Sequence, residues 1–162
     1  MLVAIISDTH IPRRAKALPL SAAEHLRAAD LIVHVGDLTT IPVLEELRSY
    51  GEVVGVHGNA DDSAVQEVFP AQLDLDLAGR RVVVIHNGGP RLGRLGRLGR
   101  RYPDADAVVF GHSHVPLHET DASGFQIFNP GSATDRRRMP THTMGLARSD
   151  GDRVEFTLVA LD

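Results

Sequence analysis

Met1-Leu2-Val3-Ala4-Ile5-Ile6-Ser7-Asp8-Thr9-His10 opens the chain with an unbroken apolar run that stops at a carboxylate and an imidazole. A run without polar alternation is the pattern of a strand covered on both faces, which places it inside a layered α/β structure. The pattern repeats downstream. Leu31 to Val35 leads to Gly36-Asp37, Glu52 to His57 to Gly58-Asn59, Arg81 to Ile85 to His86-Asn87-Gly88, and Ala107 to Phe110 to Gly111-His112-Ser113-His114. Strand C-termini in an open α/β sheet converge on one edge, so oxygen and nitrogen donors far apart in sequence can meet in one pocket.

Between these runs, Ser21-Ala22-Ala23-Glu24 reads as a capping box opening a helix through about Ala29, and Pro42 suits the first turn of a helix running to about Tyr50. The order βαβαβ predicts parallel pairing. Beyond a loop containing Pro70, Leu73 to Leu77 alternates apolar and acidic residues and Gly79-Arg80 turns the chain into the next strand, a hairpin. Val115 to Thr120, Phe125 to Asn129, Thr141 to Arg148 and Arg153 to Leu161 read as antiparallel, the last two joined across Asp150-Gly151. The expected fold class is α/β with α+β character: two packed mixed sheets with helices outside, one begun by the parallel unit and the other completed by the C-terminal strands. The segment Arg91 to Arg101 repeats Arg-Leu-Gly with a period of three. Each interior glycine costs a helix ~1 kcal/mol relative to alanine, so a weak helix with a solvated arginine face is expected, a phosphate-attracting flap being the alternative.

A chain of 162 residues is most simply one domain, residues 1–162, large enough to bury a core unaided. It has no cysteine, so a metal must be held by imidazole, carboxylate or amide. The formal net charge of −4 argues against a general nucleic-acid binder, and Lys16 is the single lysine among 17 basic residues. No segment approaches the ~20 apolar residues of a membrane span, and the start lacks a basic signal region, which predicts a cytoplasmic protein with no membrane partner.

Taken singly, the strand-end segments are weak signals. Asp8 and Asp37 could cap or turn their loops, Gly58-Asn59 could be a tight turn, and His86 could be structural. Gly111-His112-Ser113-His114 is the most specific, because two histidines two residues apart can serve neighbouring metals. The joint order Asp-x-His, Gly-Asp, Gly-Asn, His, Gly-His-x-His is far stronger than any part.

That ordered set resembles the calcineurin-like metallophosphoesterases. With Gly58-Asn59 and Asn129-Pro130-Gly131-Ser132, it is similar to their small single-domain phosphodiesterase branch of YfcE type. The resemblance implies a four-layer αββα sandwich and two divalent metal ions, with Asp8, His10 and His114 on one, Asn59, His86 and His112 on the other, and Asp37 bridging. Manganese is implied first, with Fe²⁺, Ni²⁺, Co²⁺ or Zn²⁺ equally served by these donors. Catalytic roles then fall on Asp37, Asn59 and His86, and substrate contacts on Asn59 and His57. The implied reaction is hydrolysis of a small-molecule phosphodiester by a water held between ions about 3.5 to 4 Å apart. The alternatives are a catalytically weak interaction scaffold of the same fold, like the metallophosphoesterase-like subunit of the retromer coat, or a phosphomonoesterase or nuclease. Exposed final strands leave a homo-oligomer open. The chain departs from the pattern twice. Ala60 stands where many members carry a histidine that assists the leaving group, and Asn87-Gly88 follows His86 where the small branch often has Gly-His.

Overall fold

In the computed structural model, which describes residues 1–162, the opening run forms β1 (Leu2–Ile6), and its side chains part between two cores. Val3 and Ile5 join Val33, Val35, Val84, Val109 and Phe128, whereas Ala4 and Ile6 pack with Ala22, Leu26, Ile32 and Leu47. Successive strand residues point to opposite faces, so both faces are apolar only when a layer lies on each.

From β1 the chain passes through α1 (Leu20–Ala28) to β2 (Leu31–His34), and through α2 (Ile41–Arg48) to β3 (Val53–Gly55). β1 and β2 are parallel, with Ile5 opposite Val33, and so are β2 and β3, with Val33 opposite Val54. After α3 (Ser63–Val68), a hairpin of β4 (Gln72–Leu77) and β5 (Arg80–Ile85) starts the second sheet. Ala78 and Gly79 both take positive φ at its turn. That sheet is completed by α4 (Arg94–Arg101), which covers it, and by β6 (Ala107–Val109), β7 (Leu117–Thr120) and β8 (Gln126–Asn129). Its order is β4-β5-β6-β8-β7, with β5, β6 and β8 parallel. The remaining strands, β9 (Thr143–Ser149) and β10 (Val154–Ala160), return to the first sheet, whose order is β10-β9-β1-β2-β3. The layers are therefore helix, sheet, sheet, helix, with Phe128 and Phe156 stacked between the sheets. No helix is long and apolar enough to cross a membrane.

Several elements differ from the sequence expectation. The C-terminal hairpin completes the first sheet, not the second, because β9 pairs antiparallel with β1 along Leu2 to Ile5. β8 is antiparallel only to β7 and runs parallel to β6. The capping box is absent: α1 starts behind Pro19, and the Ser21 hydroxyl donates to the carbonyl of Leu161. The arginine segment is a helix despite its glycines, and not all of its arginines are solvated. Arg94 donates to the Gly89 carbonyl and lies over the Phe110 ring, while Arg97 donates to the carbonyls of Gly88, Pro90 and Leu92. These arginines gather the loop after His86 onto α4. Arg91, Arg100 and Arg101 remain exposed.

Candidate metal centre

β1, β2 and β3 are parallel neighbours, as are β5 and β6, and the sheets are stacked, so the loops leaving these strands meet at one edge. Cross-links set their spacing: the Asp8 amide donates to Gly36 O, the His10 amide to Asp37 O, and the Gly111 amide to His86 O, each at 2.9 to 3.0 Å.

Two groups of donors result, Asp8 with His10 and His114, and Asp37 with His86 and His112, the donor atoms of each group lying within 4.8 Å of one another. Asp37 Oδ2 stands between them, 3.5 Å from His10 Nε2 and 3.3 Å from His86 Nε2. Asp8 Oδ1 is 3.6 Å from His114 Nε2 and 4.0 Å from His86 Nε2. Asn59 reaches the second group through Oδ1, 3.1 Å from His112 Nδ1, and these two are the exposed members. Asp8 Oδ1 and the Nε2 atoms of His10, His86 and His114 are buried without a hydrogen-bond partner. Buried polar atoms left this way cost roughly 1–3 kcal/mol each, so four on converging donors fit cations bound among them.

The rest of each ligand is held by the protein. Asp8 Oδ2 accepts from the Ser7 hydroxyl and the His112 amide, and Asp37 Oδ1 from the Ala60 amide, which leaves one oxygen of each carboxylate for the centre. His86 Nδ1 bonds Val35 O at 2.7 Å and His114 Nδ1 bonds Asp135 O at 2.5 Å, so the proton sits on Nδ1 and Nε2 faces inward. The backbone is bent to this purpose: Asp8, His10, Asp37, His112 and His114 all have φ between 45° and 67°. Non-glycine residues avoid that region at a cost of order 1–3 kcal/mol each, and the strain collects at functional loops. Gly36, at φ 98°, is required outright, since a Cβ there would overlap the His86 ring.

Sequence reasoning missed the residues that brace this arrangement. Asp61, buried, accepts the amides of Asp37 (2.9 Å), Thr39 (2.6 Å) and Gly58 (2.6 Å), tying the β2 loop to the β3 loop. His34, also buried, accepts the Gly36 amide on Nδ1 and lies 3.1 Å from the Thr9 hydroxyl through Nε2. Burial pushes its pKa down to about 3, so it serves as a neutral strut. Only the offset of Asp61 two residues after Asn59, and of His34 inside an apolar strand, marked either one. His57 stands outside both donor groups; its amide bonds Pro70 O and its side chain has no partner. Gly88 explains one departure from the family pattern. A Cβ at that position would come within 2.8 Å of the Phe110 ring, so a histidine has no room.

Electrostatics follow burial. It pushes the Asp8 carboxyl up to about 7 against the opposing pull of His86 and Ser7. Burial also pushes Asp37 up, but the adjacent His86 and the Ala60 amide outweigh it and hold this carboxyl at about 2. Burial opposes the charged form of His86, but Asp37 and Asp8, whose oxygens lie 3.3 and 4.0 Å from Nε2, outweigh it and raise its pKa. A buried carboxyl raised from 3.8 to about 7 keeps a proton that the unfolded chain releases. Its contribution to the metal-free protein therefore falls as pH rises from about 4 to about 7, by about 4 kcal/mol at most. In Asp8→Asn one amide oxygen still accepts from Ser7 and His112 while the NH₂ faces imidazole lone pairs. Denaturant unfolding in chelator is expected to show this variant more stable than the parent above pH 7, without the fall; identical pH profiles would refute the assignment.

Residues 1–152 match the family model for the calcineurin-like phosphoesterase superfamily domain. A probable metallophosphoesterase from Methanothermobacter thermautotrophicus is 34% identical over 98% of this chain and 92% of its own length. Among solved structures, Vps29 from Chaetomium thermophilum covers 100% of both chains at TM-score 0.81 and 19% identity. A novel archaeal phosphodiesterase covers 98% of this chain and 100% of its own at TM-score 0.74 and 17% identity. At those identities the structural likeness speaks for the fold, which matches the two stacked sheets described above. With the family model spanning nearly all of the sequence, the chain belongs to the calcineurin-like phosphoesterase superfamily.

Proposed function

We propose that residues 1–162 form one catalytic domain that hydrolyses a small-molecule phosphodiester with two divalent cations, manganese first among them. The observation that carries this reading is the set of four buried, unpartnered donor atoms around Asp8 and Asp37. Asp8, His10 and His114 would hold one cation, Asn59, His86 and His112 the other, with Asp37 shared. Bound there, the cations would polarise phosphoryl oxygens and lower the pKa of water.

The chain's own residues do the positioning. Asp37, ionised throughout the neutral range, supplies negative charge at the centre, and the Val35 carbonyl fixes the ring of His86. Asn59 contributes a neutral oxygen where another carboxylate would repel an anionic substrate, and its NH₂ can donate to a phosphate oxygen at the exposed lip. The methyl of Ala60 can give no proton, and its amide is committed to Asp37. The leaving alkoxide must then be protonated from solvent, so rates should depend steeply on the leaving group. The phosphodiesterase among the structural relatives supports the choice of diester over monoester; the likeness to Vps29 supports a binding role as the second reading.

The test is a screen of chelator-treated protein reloaded with each candidate ion, against phosphomonoesters and diesters bearing nitrophenyl or alkyl leaving groups, cyclic nucleotides and oligonucleotides. The expected result is metal-dependent turnover of nitrophenyl diesters, with alkyl diesters slower by orders of magnitude. No turnover with any ion would overturn the reading and favour the binding role.

A further inference from the structure

We propose that Ser132 is a positioning residue of the metal centre, whose hydroxyl ties Asp8 to His114, two of the three donors in one group; the inference rests on the two-cation reading above. The stretch Asn129-Pro130-Gly131-Ser132 begins at the end of β8 and supplies no donor to either group. It nevertheless holds the first and the last of the ligand loops. Asn129, fully buried, donates from Nδ2 to Gly111 O at 2.9 Å and to the Ser113 hydroxyl at 3.2 Å, and its Oδ1 accepts the Gly131 amide at 2.9 Å. These bonds fix the backbone on either side of His112 and leave the orientation of the His114 ring to Asp135.

A hydroxyl has one hydrogen and two lone pairs, and the buried Ser132 spends all three. Its hydrogen goes to Asp8 O at 2.8 Å, and its oxygen accepts the amides of Asp135 at 2.9 Å and Thr134 at 3.3 Å. The Asp135 carbonyl in turn accepts His114 Nδ1 at 2.5 Å. One oxygen therefore starts a chain that runs from the Asp8 backbone on one side, through Asp135, to the His114 ring on the other. The Asp8 amide is already bound to Gly36 O, so Ser132 closes the second side of a residue held at φ 53°. The two ends of the chain are Asp8 Oδ1 and His114 Nε2, 3.6 Å apart, both buried and without a hydrogen-bond partner. The second group is set by other bonds, His86 by Val35 O and Asp37 by the Ala60 amide and the Asp61 carboxylate. Loss of the Ser132 hydroxyl should therefore act on one cation of the two.

The test is a Zn²⁺ titration against a competing chelator, followed by the Nδ1–H proton resonances of His114 and His86. Each proton is held by a backbone carbonyl and reports its own half of the centre. The proteins are the parent, Ser132→Ala and Thr143→Ala. Thr143 is the control, because its buried hydroxyl donates to Pro130 O at 2.7 Å in the same segment without reaching a donor residue. In Ser132→Ala the affinity reported by His114 should fall about 10–100-fold, as for loss of a bond that orients a metal ligand, while that reported by His86 changes less than about threefold. Before zinc is added, the His114 proton should already shift or broaden in Ser132→Ala and stay in place in Thr143→Ala. A hydroxyl that only stabilises the fold would give the same result in both variants. That outcome, equal weakening at His114 and His86, or an unmoved His114 proton would overturn the proposal. A parent that binds fewer than two zinc ions rejects the two-cation reading, and the zinc-free His114 proton then decides the role of Ser132 alone.

Discussion

Asp37→Ala is expected to abolish turnover of bis(4-nitrophenyl) phosphate, by roughly three orders of magnitude or more, and to lower metal stoichiometry from two ions to one or fewer. Asp37 offers the carboxylate oxygen that comes nearest to both donor groups, 3.5 Å from His10 and 3.3 Å from His86, where Asp8 Oδ1 stays 4.0 Å from His86. Its removal takes that negative charge from both groups and leaves Asp8 as the one carboxylate among the imidazoles. The several kcal/mol that metal ions contribute to transition-state charge stabilisation then disappear, and ~4 kcal/mol is about a thousandfold in rate. Stability should fall as well, by roughly 1–3 kcal/mol, since the Ala60 amide loses its acceptor and alanine bears φ 59° less readily than aspartate, while the backbone bonds to Asp61 and His10 survive truncation. The measurements are steady-state kinetics at saturating metal and elemental analysis of the dialysed protein. Parent-like turnover with two ions retained would remove Asp37 from the shared position.

The reason the site was visible in the sequence is that a buried strand advertises its own end. Val82 to Ile85 and Ala107 to Phe110 are continuous apolar runs, and the first polar residues after them are His86 and His112. Periodicity locates the run, and parallel topology does the gathering. What local pattern cannot carry is the partner of a strand. The β9 and β10 hairpin reads alike whichever sheet accepts it, and only tertiary packing along Leu2 to Ile5 decides. α3, six residues long, is too short to show a helical period, although Asp62 caps it through the Val65 amide. Arg94 and Arg97 read as a solvated charge run because their partners are backbone carbonyls, which no side-chain pattern reveals. Asp61 was passed over for the same reason: its work is done on amide hydrogens.

Asp61→Ala should therefore be the most destabilising change near the centre that removes no donor facing the metals. One carboxylate accepts three buried amides, from Asp37, Thr39 and Gly58, and alanine leaves all three without a partner. At roughly 1–3 kcal/mol for each unsatisfied buried group, partly offset by water entering the space, a loss of about 3–5 kcal/mol is expected. For a domain of this size that is on the order of a 10 °C fall in Tm. Asp61→Asn separates hydrogen bonding from packing. Its single carbonyl oxygen can keep the Asp37 and Gly58 amides now shared by Oδ2, but its NH₂ then meets the Thr39 amide donor to donor. About half the loss should remain. Metal affinity should fall in the same order, alanine below asparagine below parent, because the bond to the Asp37 amide sets where that carboxylate stands and the bond to Gly58 sets where Asn59 stands. Thermal unfolding in chelator gives the stability series and metal titration gives the affinity series. An alanine variant melting within two degrees of the parent would show that the two loops are held together by something other than Asp61.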